Sequence, residues 1–433
     1  MIEPLLRDAG LTRDSAGELL MAGVRLADIA RQVGTPAYVY NAEVIRAQYR
    51  RLDAAFAGIP HRICYAVKAN GNLAVLRILR DLGAGADIVS IGELHRALAA
   101  GIAAGNVVFS GVGKTAVDLR AAIGLGVGQI NVESLGELER LAAIARELGT
   151  RVAVGIRVNP DVTTDTHPYM ATGSRADKFG VPLDQVMAAA RLAAASPELE
   201  LKALAMHVGS QIGDVDPYRA GLRRLLELRE QLRAHGIGSI DTLDMGGGFG
   251  ISYRGETPLA PERLAEAIGP LLENTGLTLA VEPGRSLVGS AGVLLTEVVY
   301  RKHNGGKEFI IVDAGMNDLL RPSHYEAHHE VVELTARERP TIVADLVGPV
   351  CETGDFLALG RALPAVEPGE LLAVLGAGAY GFTMASNYNA RPLPAEVLVD
   401  AGRWGVSRPR QRVEQLFASE EPEPLASASP QRS

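Results

Sequence analysis

Cysteine is nearly absent. The chain has two, Cys64 and Cys351, in 433 residues, too few for a disulfide framework and in keeping with a reducing compartment. Charge of one sign is also lacking. The formal balance of −8 is mild and spread along the chain, so no basic surface invites nucleic acid. No apolar run approaches the roughly 20 residues that would span a bilayer. The N-terminal "MIEPLLRDAG" mixes charges early and lacks the basic-then-apolar order of a signal peptide. Together these point to a cytoplasmic protein with no membrane or nucleic-acid partner. Aromatics make up only 5%, while Ala, Gly and Leu are abundant. That is the makeup of an α/β protein, and the length allows two or three domains with a large core.

What is present is alternation. Eight short apolar runs lie at residues 63–69, 86–90, 107–111, 129–134, 151–159, 201–209, 242–248 and 277–284. Between them lie stretches such as "LGELERLAAIAREL", whose apolar residues recur at helical spacing. Eight βα units predict parallel strands with right-handed crossovers, and a (β/α)8 barrel over residues 35–284 rather than an open sheet. After Ser290 the helices thin out. Runs such as "GVLLTEVVYRK", "KEFIIVDAG" and "ELLAVLG" predict a second, mainly antiparallel β domain over 285–417. Residues 1–34 form a separate segment that could join that domain. The Pro/Ser-rich 418–433 read as a disordered tail.

The first run, "ICYAVKAN", has the composition of a buried strand yet ends on Lys68. Lysine is rarely buried without a partner. The ends of three later runs are equally unusual: "HVGSQ" with His207 and Ser210, "GGGFG" beginning at Gly246, and "EPGR" with Glu282, Gly284 and Arg285. In a (β/α)8 barrel all four ends face one mouth, where active sites lie. Each has a plainer reading: a tight turn, a packed histidine, a salt bridge. Their convergence favours function. Gly246, Gly247 and Gly248 would let backbone N–H groups cradle a phosphate. A lysine desolvated at such a mouth would have a lowered pKa and become nucleophilic. A phosphorylated aldehyde would suit both, and pyridoxal 5′-phosphate is the obvious one.

With "YAVKAN", "HVGSQ", "DMGGGFG" and "EPGR", the chain resembles the alanine-racemase-like, fold type III pyridoxal-phosphate decarboxylases. The segments "DAGMNDLLRPSHYEAHH", "GPVCETGDFLA" and "GAYGFTMASNYNARPLPAEVLV", with the insertion "THPYMATGSRADKFG", are similar to the diaminopimelate decarboxylase branch. The likeness runs over roughly residues 36 to 407. It implies that Lys68 is the Schiff-base lysine, that His207 stacks on the pyridine ring and that Glu282 pairs with the ring nitrogen. It also implies that Ser210, Gly246, Gly247, Gly248, Gly284, Arg285 and Tyr380 surround the cofactor. Arg285, Arg321 and Tyr325 would bind the substrate's carboxylates, and Tyr380 would also contact the substrate. Cys351 would donate a proton and Glu352 would recognise the distal amino group, both from a neighbouring subunit, so a homodimer is implied. The activity implied is decarboxylation of meso-2,6-diaminopimelate to L-lysine, the last step of lysine biosynthesis.

The rival activity is decarboxylation of D-lysine, D-ornithine or another basic amino acid. Two arginines favour a substrate with a second carboxylate, and Glu352 stands where the ornithine enzymes carry aspartate. A catalytically dead homologue would be expected to have lost Lys68, Cys351 or the glycines. Two other patterns are decoys. "GAGAYG" with Asp400 resembles a dinucleotide fingerprint, but the prolines and asparagines that follow disfavour the helix it needs. His324 and His328 stand at i,i+4 spacing but lack further ligands beside them, so no metal is expected. Cys64 reads as a small core residue.

Overall fold

The computed structural model describes residues 2–162 and 178–420. Most of the insertion "THPYMATGSRADKFG" and most of the tail 418–433 lie outside the described residues. Eight parallel strands close into a barrel: β1 His61–Ala66, β2 Gly85–Ile88, β3 Val107–Phe109, β4 Gln129–Val132, β5 Val152–Arg157, β6 Leu199–Ala205, β7 Thr242–Asp244 and β8 Thr278–Val281. Their spatial order is their chain order, with β8 paired to β1. The strands are short and mostly apolar on both faces, because one face fills the barrel and the other meets the helices, with a few polar residues such as Gln129, Asn131 and Asp244 inside. Those helices start as their sequences direct. The Asn41 side chain caps Ala42–Ala55 by accepting from the Glu43 and Val44 N–H groups, and Ser90 and Ser134 cap Ile91–Ala99 and Leu135–Glu147 in the same way.

The second layer is a nine-stranded sheet. Its main path runs Phe356–Pro364, Thr341–Val347, Lys307–Val312, Gly292–Asn304, Ala37–Asn41, Ala395–Asp400, Arg403–Arg408. Most pairs are antiparallel; Ala37–Asn41 with Ala395–Asp400, and Lys307–Val312 with Thr341–Val347, are parallel. Ala37–Asn41 falls within the range 35–284 that alternation assigns to the barrel, yet it lies in mid-sheet with all five residues buried. The barrel therefore begins after residue 41. A run of five cannot reveal which sheet it joins when both of its faces are covered. Residues 2–33 build a small three-stranded sheet and two helices. Their apolar residues, among them Leu19, Leu26 and Ile29, pack with Val293, Leu295, Val397 and Val399 of the large sheet. Among the described residues no helix is long and apolar enough to cross a membrane.

Candidate active site

Strand β1 ends at Ala66 and tightens into a 3-10 turn, Val67–Ala69, that carries Lys68. The turn is held from two sides. The Ala66 N–H donates to the Pro283 carbonyl at 3.0 Å, just beyond β8, and the Tyr380 N–H of the second domain donates to the Ala69 carbonyl at 2.8 Å. Tyr380 takes up φ +56° to do so, a conformation costly for a bulky residue. Lys68 thus stands where barrel and sheet meet.

A cavity of about 230 Å³ opens there. Lys68, His207, Ser210, Gly247, Gly248, Glu282, Gly284, Arg285 and Tyr380 all line it. The glycine turn is sterically obligatory. Gly246 and Gly248 have φ of +70° and +99°, and a Cβ on Gly247 would come within 2.4 Å of the Glu282 carbonyl. One on Gly248 would meet the Gly209 carbonyl and the Tyr218 hydroxyl at 2.7 Å. His207 Nδ1 accepts from the Gly247 N–H at 3.2 Å, so that nitrogen carries no proton. Burial, with Arg157 and Lys68 nearby, depresses the His207 pKa well below its ordinary value. Its ring is a neutral, flat wall.

Lys68 corrects the expectation drawn from desolvation. Burial does push its pKa down, but Asp87, on β2, accepts from its Nζ at 2.6 Å and Glu282 lies close, and the net shift is upward. The Asp87 side chain is fully buried. In the cofactor-free protein Lys68 is a paired ammonium, since an opposite charge in contact outweighs burial.

Arginines gather on the other side. Arg285 Nη2 donates to Ser210 Oγ at 2.9 Å and Nη1 to the Tyr253 hydroxyl at 2.7 Å. Its guanidinium lies over the Tyr380 ring at 4.9 Å. Arg321, from the short helix Arg321–Tyr325, lies over the other side of this cluster, 4.8 Å from the Tyr253 ring centre. Its Nη1 donates to His329 Nε2 at 2.8 Å, and His329 Nδ1 in turn donates to the Leu375 carbonyl. Both guanidiniums pull the Tyr253 pKa down against the effect of burial. Tyr325 closes the same helix, edge-on to His324 at 4.5 Å.

Cys351 and Glu352 are elsewhere. Both are exposed, on the turn between Thr341–Val347 and Phe356–Pro364, and neither lines the cavity. The turn is braced from behind. Asp355 accepts from the Met316 and Val350 N–H groups at 2.6 Å each, and the Cys351 N–H donates to Asn389 Oδ1 at 2.7 Å.

The decoys resolve locally. Only a 3-10 turn, Phe382–Met384, follows "GAGAYG". The helix carrying His324 ends at Tyr325 because Glu326 turns left-handed, so His324 and His328 share no helical face. Cys64 is buried, which pushes its thiol pKa up. Sequence reasoning missed Asp87, Asp244, Tyr253, Arg157 and His329. Asp87 and Asp244 were legible in principle, for each is an acid inside an apolar strand, the same oddity that singled out Lys68.

A phosphorylated pyridine aldehyde fits these residues. The glycine turn admits no side chain, Lys68 Nζ faces the cavity, and Glu282 Oε1 is buried with no hydrogen-bond partner. The comparisons agree. Residues 42–289 match the model of the pyridoxal-dependent decarboxylase, pyridoxal binding domain. The chain is 51% identical to a diaminopimelate decarboxylase of Pseudomonas aeruginosa over 93% of this chain and 97% of that one. With the enzyme of Aquifex aeolicus it shares 47% over 92% and 95%. The crystal structure of diaminopimelate decarboxylase from Helicobacter pylori, complexed with L-lysine, superposes with a TM-score of 0.88 at 40% identity, covering 91% of this chain and 98% of that one. By fold, cavity and sequence, this chain belongs to the diaminopimelate decarboxylase family of pyridoxal-dependent decarboxylases.

Proposed function

We propose that this chain decarboxylates meso-2,6-diaminopimelate to L-lysine and carbon dioxide in the cytoplasm, as a homodimer whose active sites are shared between copies. The observation that carries the reading is the double arginine wall. Arg285 and Arg321, both buried, flank one tyrosine beside the cavity that holds Lys68. Guanidinium forks match carboxylates bidentately, and two of them suit a substrate with a carboxylate at each end.

Pyridoxal phosphate supplies an electron sink for the pair left when the α-carboxylate departs. Lys68 would hold its aldehyde carbon, His207 would cover one ring face, and Glu282 would meet the ring nitrogen. The turn of Gly246, Gly247 and Gly248, with Ser210 and Tyr380, would hold its phosphate, and Gly284 leaves the floor clear. Arg285, Arg321 and Tyr325 orient the substrate. Asp87 keeps Lys68 in place. Cys351 delivers a proton to the α-carbon, and Glu352 holds the distal ammonium. Both act from the neighbouring copy, which explains why a braced turn presents them outward, away from their own cavity.

The test is carbon dioxide release by cofactor-loaded protein on meso-diaminopimelate, D-lysine, D-ornithine, L-ornithine, L-arginine and L-lysine. Strong preference for meso-diaminopimelate with L-lysine as product is expected. Preference for a monocarboxylate substrate would remove Arg285 and Arg321 from distal recognition. For the shared site, the Lys68→Ala protein, inactive alone, and the Cys351→Ala protein, slowed about 100-fold, should regain activity when mixed and allowed to exchange subunits. No recovery in exchanged dimers would place Cys351 in its own chain's chemistry.

A further inference from the structure

A chain of polar side chains runs through the barrel interior, where these folds ordinarily pack branched apolar residues. Arg62 Nη2, on β1, donates to Gln129 Oε1 at 2.6 Å. Gln129 Nε2 donates to Asn131 Oδ1 at 2.7 Å, and Asn131 Nδ2 donates to Asp244 Oδ2 at 3.3 Å. Gln129, Asn131 and Asp244 are buried. Room is made for them. Gly155 is the register partner of Asn131, and a Cβ there would come within 2.1 Å of Asn131 Oδ1.

The polarity of this chain has only one solution. A guanidinium can only donate, so Gln129 must turn its oxygen to Arg62 and its nitrogen to Asn131, which turns its nitrogen to Asp244. Asp244 Oδ1 receives a second donor, the Gly246 N–H at 2.9 Å. Both Asp244 oxygens are therefore supplied with hydrogens, as an anion requires. The next carboxyl is Glu282. Asp244 pairs in register with Ala280 on β8, and Glu282 follows two residues on, so its side chain turns to the same face. The two carboxyls act on each other electrostatically, and Glu282 Oε1 is buried without a hydrogen-bond partner. Two acids side by side in a buried site cannot both ionise cheaply, so one proton is kept between them. The surrounding charges agree. Lys68 is matched by Asp87 and Arg157 by Glu133, His207 is neutral, and Arg62 balances one further negative charge, not two.

We propose that Asp244 and Glu282 are a proton-sharing carboxyl pair, with Asp244 the anionic positioning residue that keeps one proton on Glu282 for transfer to the ring nitrogen of the cofactor. In that transfer the Glu282 O–H bond breaks and an N–H bond forms. Glu282 would then remain as the carboxylate partner of the ring nitrogen, with no proton drawn from solvent. Burial and the mutual repulsion of the two acids push the Glu282 pKa far up, in keeping with a stored proton. The inference rests on the assignment of Glu282 to the ring nitrogen made above.

The test counts protons. Full-length protein stripped of cofactor is titrated with pyridoxal 5′-phosphate by calorimetry in buffers of different ionisation enthalpy. Asp244→Asn should take up one more proton per site than wild type, because Glu282, freed of its anionic neighbour, ionises beforehand. Infrared difference spectra of the wild type should show a protonated-carboxyl band lost on cofactor addition, a band absent from Asp244→Asn. Equal proton counts and no band lost would overturn the pair. Should Asp244→Asn not fold, the wild-type spectrum alone decides, since no lost band refutes the stored proton. If Glu282→Gln leaves the visible absorption of the cofactor and the turnover at wild-type values, the ring-nitrogen assignment itself falls, an outcome independent of the proton count.

Discussion

At the barrel mouth, Lys68 meets a fully buried carboxylate at 2.6 Å and the glycine turn leaves no room for a Cβ. On the second domain, Cys351 and Glu352 stand exposed, with hydrogen bonds mainly behind them and, at the Glu352 carboxylate, two long 3.4 Å contacts from the Gly354 N–H and the Tyr388 hydroxyl. The cofactor end is thus organised within one chain by buried partners. The turn of Cys351 and Glu352 is braced from behind but open to solvent. Preorganisation of this kind costs nothing at the moment of reaction where it is internal, whereas the exposed turn has no dry surroundings within its own chain. On the homodimer proposed above, association would bring these two regions together.

The sharpest way to break the contrast is Lys68→Ala. It should lower turnover by roughly 10⁴-fold or more, since a residue acting as one unit with its cofactor is not replaced by partial contacts. The loss should come with loss of the covalent cofactor's visible absorption. Cys351→Ala should cost about 100-fold in kcat, the scale of a positioned proton donor, and leave that absorption intact. An equal effect of both on absorption would erase the distinction between the two halves. Between them stands the arginine wall. Arg321→Gln should lower kcat/KM for the dicarboxylate by about 2–3 kcal/mol, or ~100-fold, the scale of a lost charge-assisted hydrogen bond. Discrimination against monocarboxylate amino acids should fall by a similar factor, as measured by competition between substrates.

Two smaller effects concern stability. Gly248→Ala places a methyl 2.7 Å from the Gly209 carbonyl at φ +99°. It should cost about 1–3 kcal/mol, read by chemical denaturation, and weaken cofactor binding with it. The second domain hides a carboxyl of its own. Asp318 is pushed from 3.8 up to about 7, chiefly by burial, although it accepts from the Gly315 N–H. A carboxyl whose pKa is raised by folding stabilises the protonated fold. Its contribution is full below pH 3.8 and is lost as pH rises toward 7. Asp318→Asn should therefore melt about 2–4 °C above wild type at pH 8 and show no such gain near pH 4. A constant difference across that range would remove Asp318 as the titrating group.

Much of this was legible before any coordinates. Alternating runs gave away the barrel because eight βα units bury a period that no other segment of the chain shows, and Lys68 was conspicuous because a cation ended an apolar strand. Ala37–Asn41 was not assignable, since five buried residues fit either sheet. Nor was the charge state of Lys68, because Asp87 lies 19 residues away on the neighbouring strand, and an ion pair depends on distance rather than on composition. Tyr253 and His329 were invisible for a similar reason: each gains meaning only from the arginine the fold brings against it.

Sequence alone therefore determined the barrel, the cofactor class and the residue types at the strand ends, all of which follow from local periodicity and from chemistry out of place in its own segment. Tertiary structure alone decided which charges meet, how the buried polar chain from Arg62 to Asp244 is oriented, and that Cys351 is exposed outside its own chain's cavity. Electrostatic and hydrogen-bond energies depend on separations of a few ångströms between residues far apart in the chain, and only closure of the barrel sets those separations.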